Sequence, residues 1–339
     1  MIVAPALARP VFNHLHRLTD SRGLFEHALL AEPRREHGYC VDDVARALVV
    51  LCREQGRSLE RQVEHYLEFT LAAVQPDGRC HNRMAVDGEW TDTPTVEDCW
   101  GRAVWGLGVA AAKAPSARLR HRALVGFRRA AAQRSPYLHA MAFAALGAGV
   151  LLQSRPDEPA ARDLLRDAVS QIGVTSPDPA WPWPQDRLRY ANGAIVEALL
   201  LGGAALPDRA AAAHGLALLT FLLDIETHTG QLSVTPVGGR SATDRGPGFD
   251  QQPIEVAALA DACATAYELT GGPRWLAGVQ MAWEWFLGAN DSGTLMFDPE
   301  TGGGYDGLHA HGPNLNQGAE STLALLSTTQ HARRFELPA

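Results

Sequence analysis

The chain of 339 residues contains one lysine, Lys113, and no lysine–arginine block or basic stripe. With a formal charge of −8, it offers no electrostatic footprint for nucleic acid. There is no uninterrupted run of about 18 apolar residues, the length a membrane span needs. The apolar Leu199–Leu206 stretch is short and contains glycine. Met1–Pro10 has neither a basic flank nor a long apolar run, so no signal peptide is expected. The five cysteines (Cys40, Cys52, Cys80, Cys99 and Cys263) are odd in number, scattered, and never spaced Cys-x-x-Cys. That spacing argues against a disulfide frame and a zinc motif, and fits reduced thiols in a cytoplasmic protein. Nucleophilic Ser or Cys motifs, a glycine-rich phosphate loop after a strand, and HExxH are all missing. No cofactor and no metal motif is therefore expected, while a cation held among the acids stays open.

What is present starts with Gly38-Tyr-Cys-Val-Asp-Asp-Val-Ala-Arg-Ala-Leu-Val-Val-Leu51. Its charged residues sit in the opening turns, and the rest is apolar on every side, as in a buried helix. The pattern recurs at about 42–54, 96–113, 137–153, 189–206, 253–269 and 318–328. Amphipathic segments alternate with these core helices, at about 11–18, 59–74, 117–134, 161–172, 209–227 and 274–288. Gly56 is placed to end the first core helix. Ser135-Pro136 reads as a cap and N1 proline for the third. Asp87-Gly88 predicts a tight hairpin, Gln231–Val237 a strand, and Thr294–Asp306 a second hairpin. Asp20–Glu36 is expected to be an irregular loop.

Two alternating classes of helix imply two concentric layers. Six helical hairpins closing on themselves give an all-α (α/α)6 toroid, with residues 1–339 as one domain and small β-hairpins in the loops on one face. An open solenoid is disfavoured because no sequence repeat is visible and the loops before the inner helices are long. The opposite connections, Gln55–Ser58, Ala114–Ser116, Leu206–Asp208 and Gly271–Pro273, are short.

All inner helices of such a ring start on the same face, so their first turns share one mouth. Those turns and the loops before them hold Tyr39, Asp42, Asp43 and Arg46; Glu97, Asp98, Trp100 and Arg102; Tyr137 and His139; Arg187, Arg189, Tyr190 and Asn192; Asp250, Gln251, Gln252 and Glu255; Asn316, Gln317 and Glu320. Loops add Glu26, His27, Trp90, Trp181, Trp183, Phe249, Tyr305, His309 and His311. Carboxylates for proton transfer, amides for hydroxyls and flat aromatic faces suit a carbohydrate. Glycoside cleavage needs two carboxyls flanking one bond. In a six-fold ring Asp98 should face Asp250 and Glu255, Asp43 should face Tyr190 and Asn192, and His139 should face Glu320. The preferred acid–base pair is Asp98 with Asp250 or Glu255, followed by Asp42 and Asp43.

Structural roles compete with each assignment. Thr95–Asp98 has capping-box form, Glu255 falls at N3 if Gln252 caps its helix, and Asp42–Arg46 and Asp98–Arg102 are i,i+4 pairs. His139 alone fits a satisfied core histidine. Trp181 and Trp183 fit either a clamped loop or a sugar platform, and Trp105, Trp275, Trp283 and Trp285 fit the core. Three activities remain open: hydrolysis of an oligosaccharide, sugar epimerisation or isomerisation, and glycan binding without catalysis beside a glycosyltransferase.

Several stretches resemble the six-hairpin glycosidase-like superfamily, and within it a set of little-characterised bacterial (α/α)6 proteins described as glycosyltransferase- or glycosidase-related. The resemblance rests on Gly23–His27, Gly38–Ala47, Glu97–Leu107, Trp181–Tyr190, Gln251–Asp261 and Asn316–Leu323, and it spans nearly the whole chain. It implies a carbohydrate-active role. Many members of that set carry an acid where Gln185 stands, an Asp where Ala191 stands and a His where Trp100 stands. These departures weaken the fourth inner helix as a source of catalytic groups.

Overall fold

The structure, a computed structural model, describes residues 11–54, 59–173, 176 and 178–338. Twelve helices are found among them. The first six are α1 (Asn13–Arg17), α2 (Val41–Arg53), α3 (Glu60–Ala73), α4 (Asp98–Lys113), α5 (Ala117–Ala130) and α6 (Leu138–Ser154). They are followed by α7 (Pro159–Ile172), α8 (Asn192–Ala205), α9 (Arg209–Ile225), α10 (Pro253–Thr270), α11 (Pro273–Phe286) and α12 (Ala319–Arg334).

The even-numbered helices form the inner ring. Each packs on the next, and α12 returns to pack on α2, so the ring closes. Helices α3, α5, α7, α9 and α11 pack outside it, and α1 lies against α12. The two layers follow from the sequence pattern. Inner helix α4 buries every residue from Cys99 to Ala111. Outer helix α5 buries only Leu119, Ala123, Leu124, Gly126, Phe127 and Ala130, a single stripe at helical spacing. The expected (α/α)6 toroid is therefore the observed architecture. No described helix is long and apolar enough to cross a membrane. All five cysteines are buried and free.

Four short antiparallel ladders decorate the loops: the hairpins β1 (Ala28–Leu29) with β2 (Glu32–Pro33), β5 (Thr227–His228) with β6 (Gln231–Leu232) and β7 (Gly307–His309) with β8 (Gly312–Asn314), and the pair β3 (Tyr39–Cys40) with β4 (Arg83–Met84), between which α2 and α3 intervene. The Asp87-Gly88 turn forms as expected: Gly88 has φ +98°, and Ala85 N donates to Glu89 O. The strand expected over Gln231–Val237 stops at Leu232. Beyond it, Glu226 takes over the backbone, its carbonyl accepting from Ser233 N and its carboxylate from Thr235 N. Thr294–Asp306 reduces to a single bridge between Phe297 and Gly304. The β1–β2 and β7–β8 ladders are too short to leave a period-two signal, so the sequence reading missed them.

Several boundaries differ from expectation. Gly56 and the Gln55–Ser58 connection lie outside the described residues. Helix α6 starts at Leu138, because Ser135 Oγ accepts from Tyr137 N in a turn ahead of it rather than capping the helix. Helix α8 starts at Asn192, since Ala191 has φ +46° and breaks the helical path. Glu97, not Thr95, occupies the N-cap position of α4.

Inner helices approach closely where glycine faces glycine or alanine. A Cβ on Gly147 of α6 would stand 2.5 Å from Val104 O and 2.7 Å from Trp105 Cα of α4. The clash is with backbone, so the helices themselves must separate. Gly147→Ala is expected to cost about 1–3 kcal/mol, read as a lower midpoint in denaturant. Gly238→Ala, where a Cβ meets nothing within 4 Å, should stay within about 0.5 kcal/mol of the parent.

Candidate active site at the N-terminal mouth

At the mouth, Arg46 of α2 holds three partners. It donates to Glu320 of α12 at 2.7 Å, to Asp43 at 2.6 Å and to the Asp42 carbonyl at 3.1 Å. Burial pushes Asp43 up to about 7 even against Arg46. Burial also works on Glu320, but Arg46 and Arg102 outweigh it and hold this carboxyl below its ordinary value. The Arg102 guanidinium lies over the Phe143 ring, 4.0 Å from its centroid, with Nε 3.5 Å from Asp42 Oδ1.

Beside this knot opens a cleft of about 670 Å³, lined by Asp42, Asp98, His139 and Tyr190 among others. The Tyr190 hydroxyl donates to Asp98 Oδ2 at 2.5 Å, and its ring stacks on His139 with centroids 4.4 Å apart. Burial raises Asp98 above the ordinary carboxylate value, although Tyr190 and Arg102 pull the other way. Burial takes His139 down to about 4, so its ring is neutral at pH 7, and its Nε2 is buried with no hydrogen-bond partner among the described residues. Asp42 accepts from Asn82 Nδ2 at 3.0 Å through Oδ2, while Oδ1 accepts no hydrogen bond.

Asn82, Arg83, Asp92 and Gln185 also line the cleft, and sequence reasoning missed them. They sit on loops that were expected at this face. No spacing rule, however, says which loop residue points inward.

Many other mouth candidates are structural. Glu255 is the main correction. Its carboxylate accepts from Ala191 N, from Asn192 N at 3.3 Å and from Asn192 Nδ2 at 3.0 Å. It therefore caps the neighbouring helix α8 rather than its own helix or a substrate. Burial and the nearby Glu226 push it well above the usual range. Asp250 does not line the cleft with Asp98; it lies 3.9 Å from His309 on β7. The cross-ring pairing of Asp98 with these two acids is thus replaced by contacts between neighbouring segments.

Tyr39 is a core residue whose hydroxyl donates to Asp20, and burial pushes it up to about 12. Trp100 is fully buried and donates to Ala130 O. Trp181 and Trp183 are buried against Phe221, which makes them a clamped loop and not a sugar platform. Asn192, Gln251 and Gln317 are also buried. Asn192 accepts from Arg189 N, Gln251 bridges Gly248, Asp291 and Trp285, and Gln317 accepts from Thr301. Trp105, Trp275, Trp283 and Trp285 are core.

Other candidates remain on the rim. Glu26 pairs with Arg83, and His27 hydrogen-bonds Asn316. Tyr305 is half-buried, while His309 and His311 are exposed. Gln252 stands at the N-cap of α10, and Arg189 is exposed. Glu26, Cys40 and Asp43 place ligand atoms within 4.8 Å of one another. Arg83 and Arg46 already hold the two carboxylates, and burial keeps the thiol protonated.

The sequence departures are visible in the fold. Ala191 adopts the left-handed conformation that Asn, Asp or Gly takes more readily. Gln185 Oε1 is buried without a hydrogen-bond partner among the described residues.

Glu255→Ala strips three buried donors of their acceptor. The expected cost is about 1–3 kcal/mol, measured as a drop in Tm, with Glu255→Gln losing less because one acceptor oxygen remains. Unchanged Tm in both variants would contradict the capping role.

No family model and no curated protein matches the sequence. Solved structures do. A sugar epimerase from a ruminal bacterium superposes with TM-score 0.72 at 15% identity, covering 97% of this chain and 96% of that one. Cellobiose 2-epimerase from Bacillus thermoamylovorans B4167 gives 0.72 at 12%, covering 96% of each chain. The GH76 α-mannanase of Bacteroides thetaiotaomicron gives 0.63 at 11%, covering 95% and 92%. At such identities the likeness concerns the fold alone, the (α/α)6 toroid described above.

Proposed function

We propose that the protein is a carbohydrate-active enzyme, a glycoside hydrolase with Asp98 as proton donor and Asp42 as its partner carboxylate. The observation that carries this reading is that the two acids line one cleft and neither is tied down by an ion pair closer than 3.5 Å. Tyr190 occupies Asp98 Oδ2, which leaves Oδ1 to carry the proton toward a leaving glycosidic oxygen. The raised Asp98 value keeps that proton available at higher pH than an ordinary aspartate would. Asp42, oriented by Asn82, faces the same hollow as the base or nucleophile.

Epimerisation is the second reading. It is favoured by the neutral His139 ring with its unshared Nε2 on the Tyr190 wall, and by the epimerases among the solved structures of the same fold. In that chemistry a base removes a proton beside a carbonyl.

Asp98→Asn and Asp42→Asn should each lower kcat by about 10²–10⁴-fold on the oligosaccharide that the parent cleaves, assayed as new reducing ends. Asp98 must be protonated to act, so parent activity should decline as pH rises through its raised pKa. Unchanged turnover in both variants rules out the hydrolase assignment. Deuterium uptake from solvent into a free sugar, lost in His139→Asn and without new reducing ends, would put epimerisation in its place.

A further inference from the structure

The mouth has a second hollow, of about 330 Å³, beyond Tyr190. It shares Arg189 and Tyr190 with the acid-lined cleft. The two compartments differ in charge. The first is walled by Asp42, Asp92, Glu97 and Asp98 against Arg83 and Arg189. The second presents Arg187 and Arg189, and its one carboxyl, Glu255, is buried and turned toward the start of α8. Burial and Glu226 also favour the neutral form of that carboxyl.

The two arginines are disposed differently. Arg187 is held against the loop by hydrogen bonds to Gly238 O at 3.1 Å and Gly239 O at 3.3 Å and lies 3.5 Å from Asp244, which does not line the hollow. The Arg189 guanidinium makes no hydrogen bond to any described residue. Its ion-pair contact, Asp186, lies 3.6 Å away, and the side chain is 53% exposed. Gly238 also lines the hollow, with nothing within 4 Å of where a Cβ would stand. Neither aspartate lines the hollow, and a neutral sugar hydroxyl would use little of the Arg189 guanidinium's donor capacity. An anionic group would pair with the guanidinium fork.

We propose that this second hollow binds an anionic group, a carboxylate or a phosphoryl, carried on the sugar unit next to the one that meets Asp98. The preferred substrate is then an acidic oligosaccharide end. This inference rests on the mouth being a saccharide site.

Titration calorimetry tests it with the parent, Arg187→Gln and Arg189→Gln. The probes are neutral disaccharides, the matching aldobiouronic acids, the matching disaccharide phosphates, and inorganic phosphate alone. An acidic disaccharide should bind the parent at least about tenfold tighter than its neutral counterpart. Whichever anion gives the gain identifies the group. Each substitution should collapse the preference to less than about threefold. Equal binding of neutral and acidic disaccharides, or a preference that survives both substitutions, overturns the proposal and leaves the saccharide site standing. Absence of binding by every saccharide removes both. Inorganic phosphate binding that Arg189→Gln leaves unaltered also counts against it, because the anion then sits elsewhere.

Discussion

Arg46 ties the first inner helix to the last. Its bond to Glu320 crosses the seam where α2 meets α12 and so closes the ring at the mouth, while its bond to Asp43 holds the guanidinium against α2 itself. Arg53 does the same at the other end of α2, reaching Asp261 of α10 and Ser327 of α12. Between the two ties the axis is nearly filled, with a lumen of about 50 Å³. The inner helices bury mainly apolar side chains between their ends, with Glu197 and Asp261 among the exceptions. The roomy polar hollows open at the two mouths.

The same constraint sorts the acids. A buried carboxylate must be paired, hydrogen-bonded or neutral. Asp43 and Glu320 are spent on Arg46, and Glu255 on the first turn of α8. Asp42 and Asp98 keep their place in a cleft. At the opposite mouth, a hollow of about 700 Å³ is lined by charges that are mostly paired, Glu54 with Arg333, Glu268 with Arg334, and Arg53 and His331 with Asp261 of the adjoining lumen. Inner helices end there with carbonyls, which basic side chains complement.

The ring was legible because it depends on periodicity alone. Apolar residues on every side mark α4, α6, α8 and α10 as inner helices, and one apolar stripe marks α3, α5 and α7 as outer ones. The location of the mouth followed from chain direction. What could not be read was distance. Glu255 looked like an N3 cap for its own helix, and only the packing of α10 on α8 turns it toward Ala191. Tyr39 and Trp100 looked like rim aromatics, because a sequence does not separate the first turn of a buried helix from the layer just beneath the surface. Asn82 and Gln185 belong to loops whose inward residues are set by two- and three-residue ladders and clamped tryptophans, too short to leave a pattern.

A crystal structure of the protein soaked with an oligosaccharide measures the central claim most directly. The account predicts sugar density between Asp42, Asp98 and Tyr190, with a glycosidic oxygen within hydrogen-bond reach of Asp98. Density confined to the opposite mouth near Arg53 and His331, or sugar at the first mouth held away from both aspartates, would contradict it.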